Sequence, residues 1–107
     1  MTARKQKNNF KEFFVIKSFK FKDDEKFFCS GKSKKIPSEI QTRAIKKLLI
    51  LDAIATIQDL KVPPSNHLEK LSDDLEGFYS IRINQQFRFI FKFENGNAYD
   101  VYIDDYH

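Results

Sequence analysis

Cysteine, glycine, proline and tryptophan are all scarce in this sequence, and the scarcities exclude several classes of protein. Cys29 is the single cysteine, so no disulfide can form within the chain, which is typical of a reducing cytoplasm. Three glycines and three prolines in 107 residues exclude a low-complexity chain. One cysteine and two separated histidines give no CxxC or HxxxH spacing, so we expect neither a metal nor another cofactor.

Long apolar runs are also missing. No stretch is long enough to cross a bilayer, and no signal peptide is recognisable at the start, so we expect a cytoplasmic protein with no membrane partner. The net charge is +4 and the isoelectric point is near 9.2, which favours an anionic partner.

The charge is unevenly distributed along the chain. The first 22 residues hold seven lysines or arginines and one acid, whereas the last fourteen hold four acids and neither lysine nor arginine. Two interpretations are open: a nucleic-acid surface at one end of the protein, or an ordinary solvated surface. We interpret residues 1–13 as a basic, disordered extension. Residues 14–107 then form one domain, which is long enough for a single core.

The last thirty residues alternate apolar and polar side chains, which predicts three antiparallel strands. The phenylalanines from Phe87 to Phe93 form one row, and Asn95-Gly96 predicts a tight hairpin turn. Because a slip of one residue would turn that row outward, Ile83 must pair with Phe87. The same parity places Tyr99, Val101 and Ile103 with the phenylalanine row.

This register puts Arg82 directly opposite Arg88 on the outward face. Like charges in that position destabilise a hairpin by about 0.2–1 kcal/mol. Two interpretations are open: two solvated arginines that splay apart, or a seat for a phosphate held by two guanidinium forks. Asp104 and Tyr106 fall on the same face by parity, and His107 can reach it if the end of the strand bends. Together these side chains are suited to holding or cutting a phosphodiester.

Two helices are expected before the sheet. Asp23, Asp24 and Glu25 favour a helix start, and Gly31 is a natural stop. Pro37 opens a longer helix that is predicted to run to Ala55. Its apolar stripe consists of Ile40, Ala44, Leu48, Leu51 and Ala55. Another face carries Arg43, Lys46 and Lys47, which is either a solvated surface or a contact with an RNA backbone.

With a first strand near residues 14–18, the predicted order is β-α-α-β-β-β. The fold class is therefore α+β, with two helices packed on a small, mainly antiparallel sheet.

From residue 16 to residue 107 the chain resembles the HigB-type toxins of the RelE/ParE superfamily. The stretches that carry the resemblance are residues 16–19, 51–56, 60, 63–64, 66–71, 77, 79–84, 86–89, 95–101 and 105–107. The resemblance implies a RelE-like fold and a ribosome-dependent mRNA endonuclease that works without a metal. It also implies a helix-turn-helix antitoxin of the HigA type as partner, with the free toxin a monomer and the complex a heterotetramer.

The resemblance further implies that Arg88 and the final Asp105-Tyr106-His107 are catalytic positions. RNA can be cut without a metal when its own 2′-hydroxyl attacks the adjacent phosphate, which needs a base, an acid and positive charge on the phosphorane. We assign Arg88 to that charge, Arg82 to phosphate positioning and His107 to proton transfer.

The ribosome and its RNA are expected to contact Arg43, Lys46, Lys47, His67 and Lys70. His67 is open to a second interpretation, as an ordinary surface histidine. The chain departs from the family pattern at Ser72-Asp73, where a Lys-Gly pair is usual, and less strictly at Leu75 and Glu69, so the site is predicted to be less basic than usual. Two other functions remain open: a ParE-like gyrase inhibitor, and a non-catalytic module that binds RNA or the ribosome.

Overall fold

The computed structural model of the chain describes residues 14–105, so the predicted basic extension over residues 1–13, as well as Tyr106 and His107, lies outside the described residues. Two helices precede a four-stranded antiparallel sheet in which neighbouring strands follow the order of the chain. The α+β prediction is confirmed. The elements are α1 (Lys22–Ser30), α2 (Ser38–Leu51), β1 (Glu69–Lys70), β2 (Phe78–Arg82), β3 (Phe87–Glu94) and β4 (Asn97–Asp105), with short 3₁₀ turns at Ile57–Lys61, Pro64–Asn66 and Asp73–Leu75.

The register of the β2–β3 hairpin is the one that parity predicts. Ile81 pairs with Phe89, and Arg82 pairs with Arg88. The side-chain oxygen of Asn84 accepts hydrogen bonds from two backbone N–H groups in the connecting loop, at 2.7 and 2.8 Å. In the next hairpin, Asn95 and Gly96 both have positive φ, 52° and 78°, as a tight primed turn requires. Local sequence therefore specifies both connections.

The first strand was predicted near residues 14–18 and is not a regular strand. That segment instead runs parallel to β4 and makes two isolated bridges, Ile16 to Ala98 and Phe19 to Val101. Its backbone bonds to β4 include Ala98 N–H to the carbonyl of Val15 at 2.8 Å. Because the segment bridges to β4 at isolated positions, it lies along the edge of the sheet without forming a fifth strand.

Tyr99 does not lie in the phenylalanine row, so this prediction is wrong. Asp100 has a φ of +54°, and the β3–β4 register shifts there, so that Tyr99 pairs with Lys92 and Ala98 takes the buried place. The Asp100 N–H donates to the hydroxyl of Ser18 at 2.9 Å. Docking of the N-terminal segment thus holds a bulge that local alternation does not reveal.

The helices begin where the sequence predicts. The first turn of α1 holds Asp23, Asp24 and Glu25, and the helix ends at Gly31 in the left-handed conformation, with φ at 77°. Pro37 stands immediately before α2. The predicted end of α2 at Ala55 is wrong, because the helix stops at Leu51 and Ala55 is exposed.

Asp52 explains the early end of α2. Its Oδ1 accepts a hydrogen bond from Ile16 N–H at 2.8 Å, and its carbonyl accepts one from Val15 N–H at 3.3 Å. Asp52 is buried, and burial raises the pKa of its carboxyl, an effect that hydrogen bonds from Ile16 and Val15 partly offset. The Asp52 carbonyl therefore accepts from Val15, and Thr56 N–H, which would bond to it in a continuing helix, donates to Oδ2 of Asp59 at 3.1 Å instead.

One apolar core fills the space between the helices and the inner face of the sheet. Phe27 comes from α1, and the predicted stripe supplies Ile40, Ala44, Leu48 and Leu51 from α2. The sheet contributes Ile81, Ile83, Phe89, Phe91, Ala98 and Val101. The opposite face of the sheet carries Arg82 and Arg88, and the start of α1 reaches it at Tyr102, whose ring contacts Phe21.

Asp52→Asn is expected to gain stability relative to the unmodified chain as the pH rises. The folded state raises the pKa of this carboxyl, so the folded protein keeps a proton that the unfolded chain has lost above about pH 4. Stability therefore falls as pH rises through the folded pKa. Asparagine does not titrate and still accepts the Ile16 hydrogen bond. Urea unfolding between pH 4 and pH 7 should show the variant gaining about 0.3–1 kcal/mol, the value of a carboxylate at a helix C-terminus.

Asp59→Asn is the matched control. Hydrogen bonds from Thr56 and Ala55 lower the pKa of Asp59, so the ionised carboxylate stabilises the fold and that contribution is lost as pH falls. The two variants should therefore respond to pH with opposite signs. A stability difference for Asp52→Asn that does not change with pH would contradict the explanation.

Candidate functional site

We call the face of the sheet around Arg82 and Arg88 the arginine face. It carries a row of three charged residues. Arg82 on β2 pairs with Arg88 on β3, which in turn pairs with Asp104 on β4. The Nε of Arg88 donates to Oδ2 of Asp104 at 3.0 Å, and the two side chains are 21% and 33% exposed. An anion that reaches this row meets two guanidinium groups on adjacent strands.

A second row lies beside the first on the same face. Ser80, Ile90 and Tyr102 occupy paired positions on the three strands, and the first two are buried, with exposures of 2% and 1%. Ser80 and Ile90 are therefore shielded from solvent beside the arginines. Burial raises the pKa of the Tyr102 hydroxyl, the negative charge of Asp104 raises it further, and Arg88 lowers it. The phenol therefore lies within electrostatic range of the ion pair.

Asp105, which the family resemblance implies is a catalytic position, does not lie on the arginine face. It pairs with Phe87, so strand alternation directs it to the opposite side, and its Oδ2 accepts a hydrogen bond from Nε2 of Gln86 at 3.0 Å. Asp104 is the acid beside Arg88. Alternation in the sequence already placed Asp104 on that face, and it places Tyr102 there as well, although the sequence pattern gave Tyr102 no functional role. Tyr106 and His107 lie outside the described residues.

The predicted RNA-contact residues on α2 line a pocket of about 430 Å³ on the other side of the sheet. We call it the basic pocket, and it is lined by Arg43, Lys46, Lys47, Ile50, Ser65 and Ile83. The structure thus brings together the three cations that the sequence grouped on one helix face. The turn at Pro64–Asn66 closes one side of the pocket.

Lys47 is the most unusual member of the basic pocket because its side chain is almost completely buried, with 8% exposure. Its ammonium group donates to Oδ1 of Asn66 at 2.6 Å and to the hydroxyl of Ser65 at 3.4 Å. Burial lowers the pKa of Lys47, and the positive charge of Arg43 lowers it further. An anion in the pocket would oppose both effects by favouring the charged ammonium.

His67 and Lys70 lie neither on the arginine face nor in the basic pocket. His67 is exposed and has a positive φ of 45°, and it does not line the basic pocket. Lys70 pairs with Tyr79, a residue of the phenylalanine row, so it does not share a face with Arg82. Glu69 instead pairs with Ser80 on the arginine face. The edge strand β1 therefore places Glu69, and not the predicted RNA-contact residue Lys70, on the same face as Arg82.

Metal ligands do not cluster in the part of the chain that the structure describes, since no three His, Cys, Asp or Glu side chains lie close enough to hold an ion. Within residues 14–105, neither helix has the length and apolarity needed to traverse a bilayer.

The fold is shared with a chain of a solved bacterial toxin-antitoxin complex. The chain aligns with a heterotetrameric YoeB-YefM toxin-antitoxin complex from Staphylococcus aureus with a TM-score of 0.51 at 20% identity, covering 86% of this chain and 94% of the other. Such low identity indicates a shared fold and no more. The sequence defines the family. A family model for the RelE-like toxin of the type II toxin-antitoxin system HigB matches residues 17–107, and the chain belongs to this family of HigB-like toxins.

Two relatives are similar over nearly their whole length. Toxin HigB-1 from Vibrio cholerae is 41% identical over 90 residues, which covers 81% of this chain and 95% of the relative. Endoribonuclease HigB from Proteus vulgaris is 33% identical over 93 residues, which covers 87% of this chain and all of the relative. The predicted resemblance to HigB-type toxins is confirmed.

Proposed function

We propose that this toxin is an endoribonuclease that cuts mRNA in the ribosomal A site and so stops translation and growth. The observation that carries the proposal is the row of Arg82, Arg88 and Asp104, in which the paired side chains of Arg88 and Asp104 are partly exposed. Guanidinium groups on adjacent paired strands can both donate to the oxygens of one phosphate. The similarity to the Proteus vulgaris endoribonuclease supports RNA as the source of that phosphate.

The proposed reaction is a transesterification within the RNA. A base removes the 2′-hydroxyl proton, the 2′-oxygen forms a bond to phosphorus, and the bond from phosphorus to the 5′-oxygen breaks. The leaving oxygen takes a proton from an acid, which leaves a 2′,3′-cyclic phosphate and a 5′-hydroxyl. Arg88 stabilises the charge on the phosphorane and Arg82 positions the phosphate.

The remaining roles fall to the last three residues, Asp105, Tyr106 and His107. His107 carries a proton, because an imidazole with a pKa near 6.5 serves as acid or base at neutral pH. Tyr106 stacks on a base or bonds to the RNA backbone. For Asp105 to orient His107, its carboxylate must exchange the hydrogen bond from Gln86 for one from the imidazole. None of these roles requires a metal ion.

We further propose that the basic pocket contacts ribosomal RNA. It lies on the side of the sheet opposite Arg82, so it does not share one phosphate with the arginine face. Arg43, Lys46 and Lys47 provide three cations for an RNA backbone, which is the sequence-independent part of such an interface. His67 and Lys70 remain candidates for contacts at the edge of the same surface.

A helix-turn-helix antitoxin of the HigA type is the proposed protein partner. The YoeB-YefM structure is itself a toxin-antitoxin complex, which supports an antitoxin as the class of partner. We propose a monomeric free toxin and a heterotetrameric complex.

Cleavage of mRNA is expected to be efficient on translating ribosomes and weak on naked RNA. The arginine face offers few groups to orient a flexible strand, and positioning can supply about 7–11 kcal/mol of a barrier. Primer extension on one mRNA, with and without programmed ribosomes at equal toxin concentration, is the measurement. Cuts that keep a fixed position relative to codons support the proposal.

Three other results would contradict the proposal. Equal cutting of naked RNA would remove the need for the ribosome. DNA breaks that depend on gyrase, without RNA cuts, would identify a ParE-like inhibitor. Growth inhibition with neither kind of break would leave a non-catalytic module that binds RNA or the ribosome.

A further inference from the structure

An aromatic–lysine cluster, formed by Lys20, Phe21, Lys35 and Tyr102, lies at the junction of α1 and β4. The rings of Phe21 and Tyr102 meet edge to face with centroids 6.0 Å apart. The ammonium of Lys20 lies 4.5 Å from the Tyr102 ring centre and 5.4 Å from that of Phe21, and the ammonium of Lys35 lies 5.7 Å from that of Phe21. Phe21 is 45% exposed, which is unusual for a phenylalanine in a small domain with a core available.

Backbone contacts hold this cluster in place. The N–H of Lys20 donates to the carbonyl of Val101 at 3.0 Å. One turn into α1, the buried carboxylate of Asp24 accepts a hydrogen bond from the N–H of Ile103 at 3.4 Å. The start of α1 is therefore joined to β4 on both sides of Tyr102. A surface whose side chains are positioned in this way loses little freedom when a ligand binds.

The cluster continues the arginine face. Tyr102 and Asp104 are two residues apart on β4 and share that face, and Arg88 pairs with Asp104. Tyr102 is therefore the diagonal neighbour of Arg88 across the β3–β4 pair, and such neighbours lie about 7–8 Å apart. One surface therefore runs from the paired arginines to the exposed ring of Phe21.

We propose that the aromatic–lysine cluster is a nucleobase-stacking subsite for single-stranded RNA whose phosphate lies at Arg82 and Arg88. The inference deepens the proposed function and rests on it. Aromatic rings beside cations are the usual elements of single-strand binding, because every base presents a π-face and every linkage a phosphate. The base stacks on the exposed ring of Phe21, with Tyr102 fixing that ring from its edge. The ammonium groups of Lys20 and Lys35, which lie over the Phe21 ring, move aside as the base stacks and meet the phosphates on either side of it.

The test is a titration of the isotope-labelled protein with a four-nucleotide adenylate whose 2′-hydroxyls are methylated, so that it cannot be cut. Low salt is used because phosphate binding is strongest there. A second tetramer with one internal abasic position presents the same phosphates with one base removed. We expect the ring resonances of Phe21 and Tyr102 to shift with the first tetramer. Affinity should fall about tenfold for the second, within the 1–3 kcal/mol that stacking of one base contributes.

Phe21→Leu keeps an apolar side chain and removes the aromatic surface. It should bind the complete tetramer about tenfold more weakly and should no longer distinguish it from the abasic one. Leu49→Ala is the matched control, since Leu49 is an exposed apolar residue on α2, away from the cluster. That variant should behave as the unmodified protein does.

The outcomes separate this inference from the proposed function. Shifts at the amides of Arg82 and Arg88 without shifts at the cluster overturn the stacking subsite and leave the nuclease proposal standing. Shifts at the cluster alone overturn the inference in the form stated, because they rule out a phosphate at the arginines, and they count against the nuclease proposal as well. A tenfold loss that is equal for both tetramers in Phe21→Leu overturns base stacking. Weaker capture of the antitoxin by Phe21→Leu, with RNA binding unchanged, overturns the subsite in favour of a protein contact.

Discussion

Arg88→Ala is expected to abolish growth inhibition and to lower mRNA cleavage on programmed ribosomes by at least about a hundredfold. Removing one preorganised group that stabilises transition-state charge costs about 10²–10³ in rate. The fold should survive, because the Arg88–Asp104 pair is partly exposed and such pairs contribute about 1 kcal/mol or less. We therefore expect the melting temperature to change by no more than about 5 °C. The measurements are colony formation under induction, single-turnover cleavage and thermal unfolding.

Lys92→Ala is the control for Arg88→Ala. Lys92 lies on the same strand and the same face, four residues further along, and its ammonium is 3.8 Å from Glu94 at the surface. This variant removes one positive charge without touching the arginine row and should retain most of its activity. If Arg88→Ala lost activity together with a large drop in melting temperature, Arg88 would be a structural residue. Full toxicity of Arg88→Ala would remove it from the mechanism.

His107→Asn is expected to lose about 10²–10⁴ in cleavage rate, the usual effect of removing one general acid or base. Colonies should then grow under induction, while co-purification of the antitoxin stays unchanged. The pH dependence of single-turnover cleavage gives a sharper readout. The unmodified toxin should show a limb that titrates near the ordinary histidine pKa of about 6.5, and the variant should lose that limb.

His67→Asn tests whether the effect is specific, since the sequence contains two histidines. His67 has a φ of 45°, a left-handed conformation that asparagine tolerates, so this substitution should not strain the backbone. We expect near-normal cleavage from it. If His67→Asn lost activity and His107→Asn kept it, the proton carrier would be at the edge of the sheet, away from β4.

The sequence by itself determined the two hairpins and the arginine pair. Side chains alternate strictly with a period of two, so burying the phenylalanine row leaves one register for the β2–β3 pair. Asn95-Gly96 adds a turn that few other dipeptides form so readily. Arg82 had to face Arg88 for the same reason. The family was also evident from sequence, because its motifs are runs of consecutive residues.

Only the tertiary structure decided how distant segments alter these local patterns. Ser18 bonds to Asp100 and holds the bulge that turns Tyr99 outward, and Ile16 bonds to Asp52, where α2 stops short of Ala55. The burial of Lys47 against Asn66, and the contact of Phe21 with Tyr102, likewise join residues at least nineteen positions apart. Alternation and helical spacing describe neighbours along the chain. They carry no information about which separate segment supplies a hydrogen bond, and that bond selects the conformation.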